Sequence, residues 1–289
     1  MILLEPLWEP LQHDFMLKAL LVGMFVSVVC ATLSCFIVMK GWALVGDAVS
    51  HAVLPGIVVA YIAGVPMAIG ALISALLCVL GAGTIGANSR VKKDAVLGIA
   101  FTGFLALGLI LLVAIPSDIH FMHVLLGNLL GIEASALQQL LISGTIALML
   151  LALQYKDLKL YCFDAQHARI IGLNVVWLDI LLLILLALTA VASLQTVGLI
   201  LVIAMLVTPG CIGFLLSGRF AMMMFIAVGA AMFSTYAGVL ISFYINGTTA
   251  GCIVLVQAAI FILAFCFSPS KGVLVARLRS KRSAATSFH

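Results

Sequence analysis

A carboxylate and an imidazole stand four residues apart, Asp47 and His51, in the stretch from Lys40 through Gly-Trp-Ala-Leu-Val-Gly to Asp47, and on through His51 to Pro55 and Gly56. On a helix that spacing puts both side chains on one face. Together they can hold one borderline divalent ion, since carboxylate oxygen and neutral imidazole nitrogen both suit such metals. The same spacing also suits an Asp–His hydrogen bond at a helix start, and spacing leaves both readings open. A second polar cluster runs from Ser117 and Asp118 through His120 to His123. Two histidines three residues apart could touch metal, but they also fit headgroup-level anchors, the reading we favour.

These residues must be held by elements suited to lipid. Of 289 residues, 65% are apolar and 8% are charged, and the mean hydropathy is +1.34. Soluble domains are about 45–50% apolar and ~25% charged, so a water-soluble fold is excluded. Apolar runs at 15–39, 48–64, 67–88, 95–115, 134–154, 175–193, 196–216, 220–244 and 250–268 predict nine crossings. Pro55 and Pro209 each threaten one helix, so eight crossings is the alternative. Runs of this length exclude a β-barrel, whose strands are short and alternating. The expected fold is all-α and polytopic, with 1–289 as one membrane domain. Residues 1–14 form an outer N-terminal segment, and 269–289 a basic cytoplasmic tail.

Lys and Arg flanking spans stay on the cytoplasmic side. Nine crossings put thirteen of the fourteen basic residues on one side, Lys18 being the exception. The N-terminus is therefore expected outside and the tail inside. The net charge of +4 is spread over loops, with no basic stripe for nucleic acid. Seven cysteines without CxxC spacing read as packing residues, not a disulfide framework.

The sequence holds no phosphate loop, HExxH helix or GxSxG elbow. ATP-driven transport would therefore need a second polypeptide, touching this one through cytoplasmic connections. Two stretches could serve. The first is the 17-residue segment 156–172, in which Asp164 starts a short helix carrying Arg169 and Gly172 stops it. The second is 208–219, from Thr208 and Pro209 to Ser217 and Arg219.

The stretch 41–56 closely resembles the signature of the membrane permeases of bacterial manganese, zinc and iron ATP-binding-cassette importers. Lys93-Asp94-Ala95 with Gly98, Leu126 to Leu130, Ala168-Arg169 with Gly172-Leu173, and Val197-Gly198-Leu199 through Thr208-Pro209 extend the match over nearly the whole chain. The likeness is greatest to the chelated iron and manganese branch. The resemblance implies a type II importer permease fold in the bacterial inner membrane, paired with a second permease above ATP-binding-cassette ATPases. It also implies an extracytoplasmic metal-binding protein, and Mn²⁺, Fe²⁺ or Zn²⁺ as cargo passing Asp47 and His51, with Ser50 as a further oxygen. No cofactor would be held permanently, and ATP would sit on the partner subunit. By analogy with larger type II importers, 208–219 would be the main ATPase contact and 160–174 the auxiliary one.

A gradient-driven secondary carrier would use Asp47 and His51 as a proton relay, but no counterpart of 41–56 is found in the second half. A type II permease for a metal chelate is the other alternative. An intramembrane hydrolase would need a further ligand or nucleophile set, and the sequence offers none.

Overall fold

Lipid cannot hydrogen-bond backbone N–H and C=O groups, so an apolar run of about 20 residues satisfies them internally, as a helix. The computed structural model describes residues 14–91, 93–114, 131–132 and 134–268. These form helices α1 (Asp14–Lys40), α2 (Ala43–Ile62), α3 (Met67–Asn88), α4 (Lys93–Ala114) and α5 (Ala134–Leu153). They continue with α6 (Tyr155–Phe163), α7 (Ala165–Ile170), α8 (Val175–Val197), α9 (Leu199–Leu216), α10 (Phe220–Ile245) and α11 (Thr249–Phe267). Among the described residues there is no strand, and nine helices are long and apolar enough to cross a membrane.

Neither proline breaks its helix, because each has a serine from a neighbouring helix beside it. Pro209 has no N–H for the carbonyl of Met205. Next to that gap, Ser34 of α1 accepts from the amide of Gly210 at 3.0 Å and donates to the carbonyl of Val207 at 3.2 Å. Pro55 likewise cannot serve the carbonyl of His51, and Ser74 of α3 donates to the adjacent carbonyl of Ala52 at 2.6 Å. Serine hydroxyls of this kind are what let proline persist in a spanning helix.

Three expected span boundaries need correcting. The second span begins at Ala43 and not at 48, so Asp47 lies inside the helix. The sixth, α8, runs on to Val197, and Gly198 turns the chain directly into α9. The stretch 208–219 is not an open connection. Its residues through Leu216 are helical, leaving only 217–219 between α9 and α10. Thr208, half-buried, and Pro209, buried, belong to the body of that helix.

The chain divides into two compact units, one taking the described residues up to Val38 and from Ala204 onward, the other Met39–Ile203. In the first unit, α1 meets α10 through a hydrogen bond between the Ser27 and Thr235 hydroxyls at 2.6 Å. The edge of one ring meets the face of the other where Phe36 packs on Phe220, 5.0 Å between centroids. In the second unit, α2 packs on α3 and α4, and α8 packs on α5, α3 and α2. The tightest approach is at Gly56 and Gly70. A Cβ on Gly56 would lie 2.1 Å from the Gly70 carbonyl oxygen, so the backbones of α2 and α3 touch there without side chains between them. Small residues permit such contact where lipid provides no hydrophobic drive.

Between the fifth and sixth spans, the segment expected as a loop with one short helix holds two, α6 and α7. The Asp164 carboxylate accepts from the amides of Gln166 and His167, both at 2.9 Å, and so caps α7. Gly172, at φ +89°, ends the segment in the left-handed region, as its position predicts.

Candidate metal pathway

Asp47 is the fifth residue of α2, and the N-cap position is Trp42, which makes no side-chain cap bond. The helix-start reading of the pair therefore fails on position. Nε2 of His51 lies 3.3 Å from a carboxylate oxygen of Asp47, and their side chains remain 27% and 30% exposed respectively. At 1.5 Å per residue, Asp47 sits about 6 Å and His51 about 12 Å past the start of α2. An ionisable pair left partly uncovered within an apolar spanning helix is costly to turn towards lipid.

The imidazole is steadied from α4. Its ring stacks on Phe101 with centroids 5.7 Å apart and planes 23° from parallel. Ser50 lies fully buried next to the pair and donates to the carbonyl of Gly46 at 2.9 Å, so its proton is committed to its own helix while its oxygen keeps acceptor capacity. Among the described residues no group of three or more His, Cys, Asp or Glu side chains forms a metal cluster. Asp47 and His51 are two groups of ligand type, fewer than the closed four-ligand sets of structural zinc. His120, His123 and Leu126 to Leu130 lie outside the described residues.

The other singled-out residues sit elsewhere. Arg169 is exposed on α7, one residue past the buried Ala168. In the turn after α9, the Ser217 hydroxyl accepts from the amide of Arg219 at 3.2 Å, leaving the Arg219 side chain exposed.

Sequence reasoning passed over one polar group. The Tyr161 hydroxyl of α6 donates to the carboxylate of Asp179 in α8, and the Lys40 ammonium lies 3.5 Å from the centre of the Tyr161 ring. Burial first, and then the Asp179 carboxylate, push the Tyr161 phenol above its ordinary range. The signal was available in the sequence. A lone acid five residues into an apolar run, as Asp179 is, calls for a partner.

The model of a family described as the ABC 3 transport family matches residues 12–268. The chain is 46% identical over 280 residues to the manganese transport system membrane protein MntB of Synechocystis, covering 96% of this chain and 92% of that one. It is 48% identical over 265 residues to the chelated iron transport system membrane protein YfeD of Yersinia pestis, covering 92% and 89%. Among solved structures it is similar to PsaBC from Streptococcus pneumoniae in complex with Fab. There the TM-score is 0.83 and the identity 33%, over 94% of this chain and 98% of that chain.

Proposed function

The chain belongs to the ABC 3 transport family and is a multi-pass membrane permease subunit, not itself an enzyme, and from that premise we propose that it carries Mn²⁺ or Fe²⁺ past Asp47 and His51. Manganese and iron are the metals of the two relatives by name. Zn²⁺ accepts the same ligands and is the lesser candidate. The observation that carries the reading is the pair itself, 3.3 Å apart and partly uncovered inside a spanning helix.

The chemistry follows from the two groups. The Asp47 carboxylate offsets the charge of a partly dehydrated ion. The His51 imidazole, in its neutral form, supplies the nitrogen that discriminates among borderline metals. A second permease covers the exposed side of the pair and completes the coordination, and an extracytoplasmic metal-binding protein delivers the ion. A separate ATP-binding-cassette subunit drives the change of access. It docks chiefly on α6 and α7, including Asp164, because the second expected contact has shrunk to the turn at Ser217 and Arg219; Arg169 lines a cavity with Lys40 and is left out of that surface. Thr208 and Pro209 act within α9 and not at that surface.

Vesicles carrying the assembled complex test the reading. Radiolabelled manganese should accumulate only with ATP, and Asp47→Asn and His51→Ala should each cut uptake per assembled complex at least tenfold. Normal uptake by either variant removes the pair from the mechanism, and uptake driven by an ion gradient without ATP overturns the coupling.

A further inference from the structure

A cavity of about 480 Å³ opens within the second unit, and neither Asp47 nor His51 lines it. Its polar lining includes Lys40, Arg169, Asp179 and Tyr161, and Val45, Val79, Leu97 and Leu183 form part of an otherwise largely apolar wall. Every one of these belongs to the same end of the spans. Lys40 closes α1, Val45 lies in the first turn of α2, Val79 lies in the second half of α3, Leu97 follows the first turn of α4, and Leu183 follows the first turns of α8. The cavity therefore sits at one membrane interface.

The charges favour an anion. Two cations and one acid line it, so its lining is net positive. Lys40 is held against aromatic faces, 3.5 Å from the Tyr161 ring centre and 5.8 Å from that of Trp42. The walls ask for something else. A small hydrophilic anion would satisfy the cations and leave apolar surface facing water, whereas an amphiphile with an anionic head covers both. The volume lies within the range of small-molecule sites.

We propose that this cavity binds an anionic phospholipid of the adjoining leaflet, with its phosphate against Lys40 and Arg169 and the first methylenes of an acyl chain over Val45, Val79, Leu97 and Leu183. The thirteen basic residues on one side assign that leaflet to the cytoplasm, where anionic headgroups gather juxtamembrane Lys and Arg. The recognised chemistry is a phosphate group, and a lipid and free phosphate are its two sources.

The test uses the full complex with its ATPase, extracted from nanodiscs of phosphatidylcholine mixed with phosphatidylglycerol and read by native mass spectrometry. Phosphatidylglycerol should be retained over phosphatidylcholine by about tenfold. Lys40→Ala should abolish that preference and Lys40→Arg should keep it, while Lys156→Ala, on α6 but away from the cavity, should leave it unchanged. Gly83→Leu should lower retention with both cations intact. Gly83 lines the cavity and a Cβ there meets nothing within 4 Å, so the new side chain enters open space. Equal retention of the two lipids overturns the proposal, as does retention indifferent to both Lys40→Ala and Gly83→Leu. Displacement of phosphatidylglycerol by millimolar inorganic phosphate assigns the site to free phosphate. Loss of lipid only when the ATPase assembles assigns it to an acidic segment of that partner, and either result sinks the lipid reading.

Discussion

The amide of Gly210 and the hydroxyl of Ser34 are 3.0 Å apart, one residue beyond Pro209, and through this bond α1 repairs the hydrogen-bond ladder of α9. Ser34→Ala leaves a buried amide without its acceptor, at a cost of about 1–3 kcal/mol. Thermal unfolding of the purified protein in detergent should show a lower midpoint. An unchanged midpoint would mean that the helix tolerates the gap without Ser34.

Gly56 and Gly83 make an internal contrast. Gly56→Ala drives a methyl group to 2.1 Å from the Gly70 carbonyl oxygen, and since both sides are backbone, neither yields easily. Overpacking of this kind costs about 1–3 kcal/mol. Gly83→Ala enters open space and should cost nothing. Folded yield and unfolding midpoint, measured side by side, should separate the two; equal behaviour would refute the close approach of α2 and α3.

Cys162 of α6 should be a poor nucleophile in the folded protein. Burial pushes its thiol from the ordinary 9.0 up to about 12, with Lys40 lowering it and Asp179 raising it by smaller amounts. The fold holds the proton more tightly than the unfolded chain does. This contribution to stability is therefore complete below pH 9.0 and is lost as pH rises towards about 12. With the other six cysteines replaced, alkylation at pH 8 should be at least tenfold slower in the native protein than after unfolding in dodecyl sulfate. Equal rates would place the thiol at the surface.

Alternation of nine spans assigns each turn to a side. Single cysteines at Gly64 and Gly247, in the turns after α2 and α10, should react with an impermeant maleimide from outside. Those at Ser89 and Ser217 should react only after permeabilisation. The opposite pattern would invert the topology and move the basic turns to the outer face.

The spans were legible in the sequence because lipid sets a length rule that few residues can violate, and all nine runs reappear with shifts of a few residues at their ends. The stretch after Thr208 was misread because Pro209, Gly210 and Gly213 carry the composition of a turn. Beside the proline its backbone is bonded by Ser34, far away in sequence, which no local pattern reveals. The second short helix, α6, was hidden by its lysines and Asp157, which look like loop residues beside such apolar neighbours. At the site, the i,i+4 spacing of Asp47 and His51 gave their shared face. Phe101, which steadies the imidazole, comes from another helix and was out of reach.

Pro55 divides α2 unequally. Asp47 and His51 lie before it, and α3 grips the helix on both sides of it, through the Ser74 bond to Ala52 before the proline and the Gly56 contact after it. The helix is thus clamped at the point where a proline would otherwise let it flex. Asp47 and His51 keep both their mutual spacing and their aim relative to α3, like two pegs on a rail bolted down beside its joint.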